Sequence, residues 1–94
     1  MYSSELKAFI REKSSLFWSV PDDKKEEISP GVLVETILNY GSMDDVRKLI
    51  RLMGMDEVVR IFFSARGRQK LNYDPMIHHY FTALFKKYAH VDPD

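Results

Sequence analysis

Apolar residues recur along the chain at intervals of three and four, the spacing that lines one face of an α-helix, and no segment alternates with the two-residue period of a strand. Val46, Leu49, Ile50 and Met53 form one such stripe. Val58, Val59, Ile61, Phe62, Phe63 and Ala65 form a second, covering about 200° of a helix at about 100° per residue. Met76, Ile77, Tyr80, Phe81, Leu84, Phe85 and Tyr88 form a third, spanning about 180°, with His79, Thr82, Lys86 and His90 facing away from it. Start and stop signals punctuate these stripes and predict helices over about 4–13, 30–40, 43–53, 55–66 and 75–90.

The starts carry recognisable capping chemistry. Ser29-Pro30 sets a hydroxyl ahead of a proline in the first helical position, and Asp74-Pro75 repeats that order with a carboxylate. Ser42 with Asp45 three residues later approximates a capping box, and Asp44, Asp56 and Glu57 favour the positive ends of their helices. Gly41, Gly54 and Gly67 follow at thirteen-residue intervals, each where a left-handed helix C-cap with positive φ is expected. Met43-Asp44-Asp45-Val46 and Met55-Asp56-Glu57-Val58 resemble each other as two similar helix starts in one hairpin; two units so short make no solenoid. The expected fold is all-α, a single compact bundle of four or five short helices. Residues 1–29 would supply a helix, a Phe-Trp segment and a charged linker, residues 30–90 a four-helix core, and residues 91–94 a tail.

Composition narrows the function classes. The chain has 94 residues, 45% hydrophobic and 30% charged, which suits one globular domain and excludes a disordered tail. Its longest apolar runs are three residues, as in Ile61-Phe62-Phe63, far short of the roughly 20 that a membrane span needs. Met1-Tyr2-Ser3-Ser4-Glu5 lacks the basic start and apolar centre of a signal peptide, so a cytoplasmic location is expected. With no cysteine there is no disulfide, thiolate metal site or cysteine nucleophile. Overall charge is zero, yet residues 1–45 hold five basic and nine acidic groups and residues 46–94 hold nine basic and five acidic ones. That asymmetry suits either attraction between the halves, or between copies, or a nucleic-acid surface.

No catalytic constellation emerges. His78 and His79 are neighbours and so point about 100° apart on a helix, and neither has a carboxylate at metal-ligand spacing within that helix. There is no phosphate-cradling glycine loop, nucleophilic triad or carboxylate pair. The chain is therefore expected to be neither an enzyme nor a cofactor or metal binder. Helix-turn-helix DNA binding around Gly54 fails because the second helix would need polar side chains where it has an apolar stripe. Arg60, Arg66, Arg68 and Lys70 could neutralise phosphates, although Arg66 and Arg68 equally suit a helix C-terminus. Leu16-Phe17-Trp18 lies beside the charged run Asp22–Glu27, which suggests a solvated linker or a single turn; the Phe-Trp pair is a lid on the core or an exposed anchor.

Several of these positions together look familiar. Leu16-Phe17-Trp18, Val34, Ile37-Leu38-Asn39-Tyr40-Gly41-Ser42, Asp45-Val46, Leu49, Gly54 and the Arg66 to Leu71 stretch before an aromatic helix resemble a family of uncharacterised small prokaryotic helical proteins. The resemblance covers about residues 16–85, with Glu35-Thr36 where the family pattern has a basic residue and Tyr80-Phe81 where it has Phe-Trp. Members are often encoded beside nucleotidyltransferase-type toxins of the abortive-infection class. The resemblance thus implies an antitoxin-like or accessory role and brings no catalytic residues with it. The expected function is a non-enzymatic protein-binding module that uses Phe17, Trp18, Tyr80 and Tyr88 toward a protein partner or a second copy. The alternative is a small nucleic-acid-binding regulator using Arg60, Arg66, Arg68 and Lys70.

Overall fold

The computed structural model describes residues 2–65, 67 and 72–89, the side chains of residues 88 and 89 excepted. Among the described residues the chain is all-α: α1 (Ser4–Glu12), α2 (Pro30–Tyr40), α3 (Met43–Met53), α4 (Met55–Ser64) and α5 (Pro75–Ala89), with no strand. Two 3-10 segments, Ser14–Phe17 and Asp22–Glu27, connect α1 to α2. No helix among the described residues is long and apolar enough to cross a membrane.

Side-chain caps start four of the helices. Ser3 accepts from the Leu6 amide at 3.1 Å and Ser29 from the Val32 amide at 3.2 Å. Ser42 and Asp45 complete a reciprocal capping box at 3.1 and 3.0 Å. Asp74 Oδ1 accepts from the Met76 and Ile77 amides at 2.9 and 3.3 Å. Each cap satisfies donors that have no partner inside the helix. By contrast α4 begins at Gly54 and has no side-chain cap.

Gly54 is the backbone hinge between α3 and α4. Its φ of 95° with ψ of 139° is open essentially to glycine alone, though it is extended rather than the expected left-handed helical cap. Its amide still donates to the Ile50 carbonyl at 2.7 Å, closing α3 while the chain turns directly into α4. Gly67 also has positive φ, 56°. Gly41 does not: φ is −80° and ψ 167°, backbone that any residue adopts. It is small for a different reason. A Cβ there would lie 2.8 Å from the Ile37 carbonyl oxygen and 3.1 Å from Asp45 Cβ. The α3 capping box closes directly over the end of α2, and only a hydrogen fits between them.

The centre of the molecule is the face that α2 shares with α3 and α4. Leu33, Val34, Ile37, Leu49, Val58, Val59 and Phe62 are buried there. Helix α4 is thus a core element, as its stripe required, and Ala65 is buried just beyond it. Phe9 and Ile10 of α1 and Phe17 of the first 3-10 segment close one side of this core. Phe81 and Phe85 of α5 close another.

The run Asp22–Glu27 takes the turn of the two expected forms, as a 3-10 segment, and not the solvated linker. Lys25 is buried, with Nζ donating to the Val20 carbonyl and to Asp22 Oδ1, both at 2.7 Å. A buried ammonium is tolerable when its donors are matched in this way. Glu26 reaches back to Arg11 of α1 at 2.6 Å, and Tyr2 donates to the Ile28 carbonyl at 2.7 Å. The N-terminal third is thereby tied together.

Two ion pairs hold α1 against α3: Lys13–Asp45 at 2.9 Å and Lys48–Glu12 at 3.2 Å, with Lys48 Nζ 5.5 Å from the centre of the Phe9 ring. Among the described residues Lys48–Glu12 and the local pair Arg47–Asp44 join the acidic and basic halves; Lys13–Asp45 and Arg11–Glu26 lie within the acidic half. The hydrogen bond from Lys13, and then those from Ser42, hold the Asp45 carboxyl below its ordinary 3.8.

Two predictions follow from this packing. Phe62→Ala should cost about 3–5 kcal/mol in denaturant unfolding, because a fully buried aromatic leaves a cavity that its neighbours cannot fill. A cost near zero would remove Phe62 from the centre. Asp45→Asn should cost about 0.5–2 kcal/mol at neutral pH through the weakened capping box and lost charge pair. Because the carboxyl titrates lower in the fold than unfolded, its contribution is complete above pH 3.8 and fades as pH falls through the folded value. Unfolding curves should accordingly show the deficit of the variant narrowing below that pH; a deficit independent of pH would argue against the Lys13 pair.

Candidate functional site

Phe62 organises the region from which the candidate site is built. Its ring packs edge-on against Phe63, Tyr73 and Phe85 at centroid distances of 5.1, 5.3 and 5.3 Å. It also stacks on His78 at 4.8 Å with the ring planes 27° apart. Such pairs add to the burial of the rings themselves. Burial and, secondarily, the Glu35 charge push the Tyr73 phenol well above its ordinary value.

Asn39 fixes where α5 begins. Its amide nitrogen donates to the Asn72 carbonyl at 3.0 Å, and its oxygen accepts from the Asp74 amide at 3.1 Å. One side chain at the end of α2 therefore holds both sides of the turn entering α5, as a peptide group would. Beside it Glu35 is half-buried; burial raises its carboxyl above the ordinary range, with a hydrogen bond to Asn72 acting in the opposite sense. Hydrophobic periodicity gives no sign of either role: Asn39 and Glu35 enter the sequence reading only through the family resemblance, because an isolated polar residue on a helix carries no periodic signal.

With its start and inner face fixed, α5 sits rotated from the expected orientation. Phe81 and Phe85 are buried, and Ile77, His78, Thr82 and Leu84 are half-buried. The buried arc is centred about 70° from the centre of the expected apolar stripe, at about 100° per residue. The sequence pattern treated His78 as polar, whereas its ring acts as an aromatic body against Phe62. Thr82 follows it inward, donating to the His78 carbonyl at 2.7 Å.

The rotation leaves apolar side chains outside. Met76 is 80% exposed and Tyr80 is 49% exposed. With His79, Ala83, Leu84 and Lys87 they border a shallow depression of about 500 Å³ along the outer face of α5. His79, expected to face away from the apolar stripe, instead borders this surface. His78 and His79 diverge as neighbours on a helix must, one toward Phe62 and the other toward the outer face.

The structure separates the other sequence candidates. Phe17 is 1% exposed and is a core residue, not an anchor for a partner. Trp18, next to it, is 74% exposed and is no lid on the core. The 3-10 turn buries the first ring and leaves the second in solvent. Trp18 borders the segments packed on α1 and α2, whereas Tyr80 lies on α5, which packs on α4. Arg60 is held by Glu57 through two hydrogen bonds, 2.9 and 2.8 Å, which also depress the Glu57 carboxyl. Arg66, Arg68, Lys70, His90 and the side chain of Tyr88 lie outside the described residues.

Comparison with known protein families, characterised proteins and solved structures finds no match to this chain.

The single tryptophan provides a direct test of this placement. Its fluorescence should peak where free tryptophan does in water and be quenched by acrylamide almost as efficiently, with little shift on unfolding. A blue-shifted, protected emission in the folded protein would restore Trp18 to the core.

Proposed function

We propose that this protein is a non-enzymatic protein-binding module and that the outer face of α5 is its docking surface. The observation that carries the proposal is the exposure of Met76 and Tyr80 on a helix whose opposite face is already committed to the core. Exposed apolar side chains grouped in one depression are costly to leave in water, and burying them against a partner recovers that cost. Tyr80 suits such a contact because its ring is apolar while its hydroxyl tolerates a wet rim. An antitoxin-like or accessory role, as the resemblance to small prokaryotic helical proteins implies, needs such a binding surface and no catalytic group.

The test is recovery of binding partners, identified by mass spectrometry, by the wild type and by a Met76→Asp/Tyr80→Ala variant whose circular dichroism is unchanged. Truncating a central anchor typically costs about 2–4 kcal/mol of binding, so the variant should lose a specific partner at least tenfold. Lys86→Ala, a change at the rim, should lose far less. Equal recovery by wild type and double variant would overturn the proposal, as would nucleic-acid binding with steep salt dependence in place of protein capture.

A further inference from the structure

Resting on the reading of α5 as a docking face, we infer that its occupant is an acidic amphipathic α-helix of a partner protein. The shape comes first. Met76, His79, Tyr80 and Ala83 stand at positions i, i+3, i+4 and i+7, the four-residue frame that receives one side chain of a facing helix. Tyr80, Ala83, Leu84 and Lys87 repeat the same frame one turn later. The six residues bordering the depression are therefore two overlapping holes of helix-helix packing, sharing Tyr80 and Ala83. Ala83 is exposed and lacks the bulk to fill either hole, so the floor stays open between larger neighbours. The two holes lie about 6 Å apart along the axis, four residues at about 1.5 Å each, which is the spacing of i and i+4 side chains on the occupant. A strand, whose same-face side chains recur at about 6.6–6.8 Å on a flat ridge, would not wind with the two holes.

Charge selects among helices. The fifteen residues of α5 include no Asp or Glu, while Lys86 and Lys87 are exposed at its C-terminal end. His79 and Lys87 border the depression, and Lys86, exposed and seven residues from His79, flanks it on the helix surface. A helix with apolar residues at i and i+4 and carboxylates on its flank matches these basic groups; a second α5 would bring further lysines against them and no acid. Helix-in-groove recognition of this kind takes specificity from flanking charge and affinity from the inserted anchors.

The experiment titrates the full-length protein with two synthetic helical peptides that share leucines at i and i+4 and differ only in glutamate or lysine flanks, followed by amide chemical shifts. The glutamate peptide should bind at least tenfold more tightly and shift the amides of residues 76–87. Ala83→Leu, which adds bulk at an exposed helix position that tolerates it, should weaken that binding at least tenfold with circular dichroism unchanged. Lys86→Glu should reduce or reverse the preference between the peptides. Equal binding of both peptides at α5 would overturn the acidic partner while leaving the docking face standing. Insensitivity to Ala83→Leu, shifts confined to other helices, or α5-mediated dimerisation in sedimentation would overturn the helix-in-hole arrangement. An RNA oligonucleotide that shifts the same amides more strongly than either peptide would overturn both this inference and the protein-binding reading.

Discussion

The contact between Phe62 and the aromatic groups around it determines how the last helix sits on the rest of the molecule. Phe62 is anchored by the core through its own helix, and Tyr73, His78 and Phe85 converge on its ring from the segment that follows. These three belong to a turn and to two positions seven residues apart on α5, so together they fix both the start and the rotation of that helix. Once His78 stacks on Phe62, Phe81 and Phe85 must point inward, and Met76 and Tyr80 must point outward. The candidate site is thus a consequence of core packing on the opposite side of the same helix.

A second constraint is the shortness of the connections. Helices α2, α3 and α4 follow one another with two residues and then one residue between them. Such turns work only because the backbone at Gly54 takes a conformation that side chains resist and because Gly41 leaves room for the Ser42–Asp45 box. The box serves two purposes at once. Asp45 caps α3 and receives Lys13 from the end of α1, so a local helix signal also becomes a tertiary contact. Asn39 does comparable work in the last turn of α2, where its amide substitutes for a backbone partner in the turn before α5.

Charge has a smaller part in holding the fold than its uneven distribution along the chain suggests. Arg11–Glu26, Arg47–Asp44 and Arg60–Glu57 are exposed or partly exposed pairs, of the kind worth about 1 kcal/mol or less. Lys25 is the exception in kind: its aliphatic stem fills space near the N-terminal core while its ammonium fastens the 3-10 turn to Val20. The basic character of α5 has no acidic counterpart within that helix, and this gives the outer face a polarity as well as a shape.

The sequence alone determined the all-α class, the placement of the helices to within two residues at each end, the capping residues Ser29, Ser42, Asp45 and Asp74, and the burial of α4. These depend on local backbone chemistry and on a period that a buried helix face must obey, so they are legible without knowing what packs where. The site was legible only in part: Tyr80 stood out as an aromatic on a surplus apolar face, but Phe17 was misassigned and Ala83 carried no signal. Which of two adjacent rings, Phe17 or Trp18, enters the core depends on the direction of a 3-10 turn, and periodicity has no purchase on four residues. Asn39 and Lys25 became structural only through partners that the fold supplies. The rotation of α5 was decided by tertiary structure alone, because a histidine counts as polar in a pattern but packs as an aromatic ring once Phe62 lies beneath it.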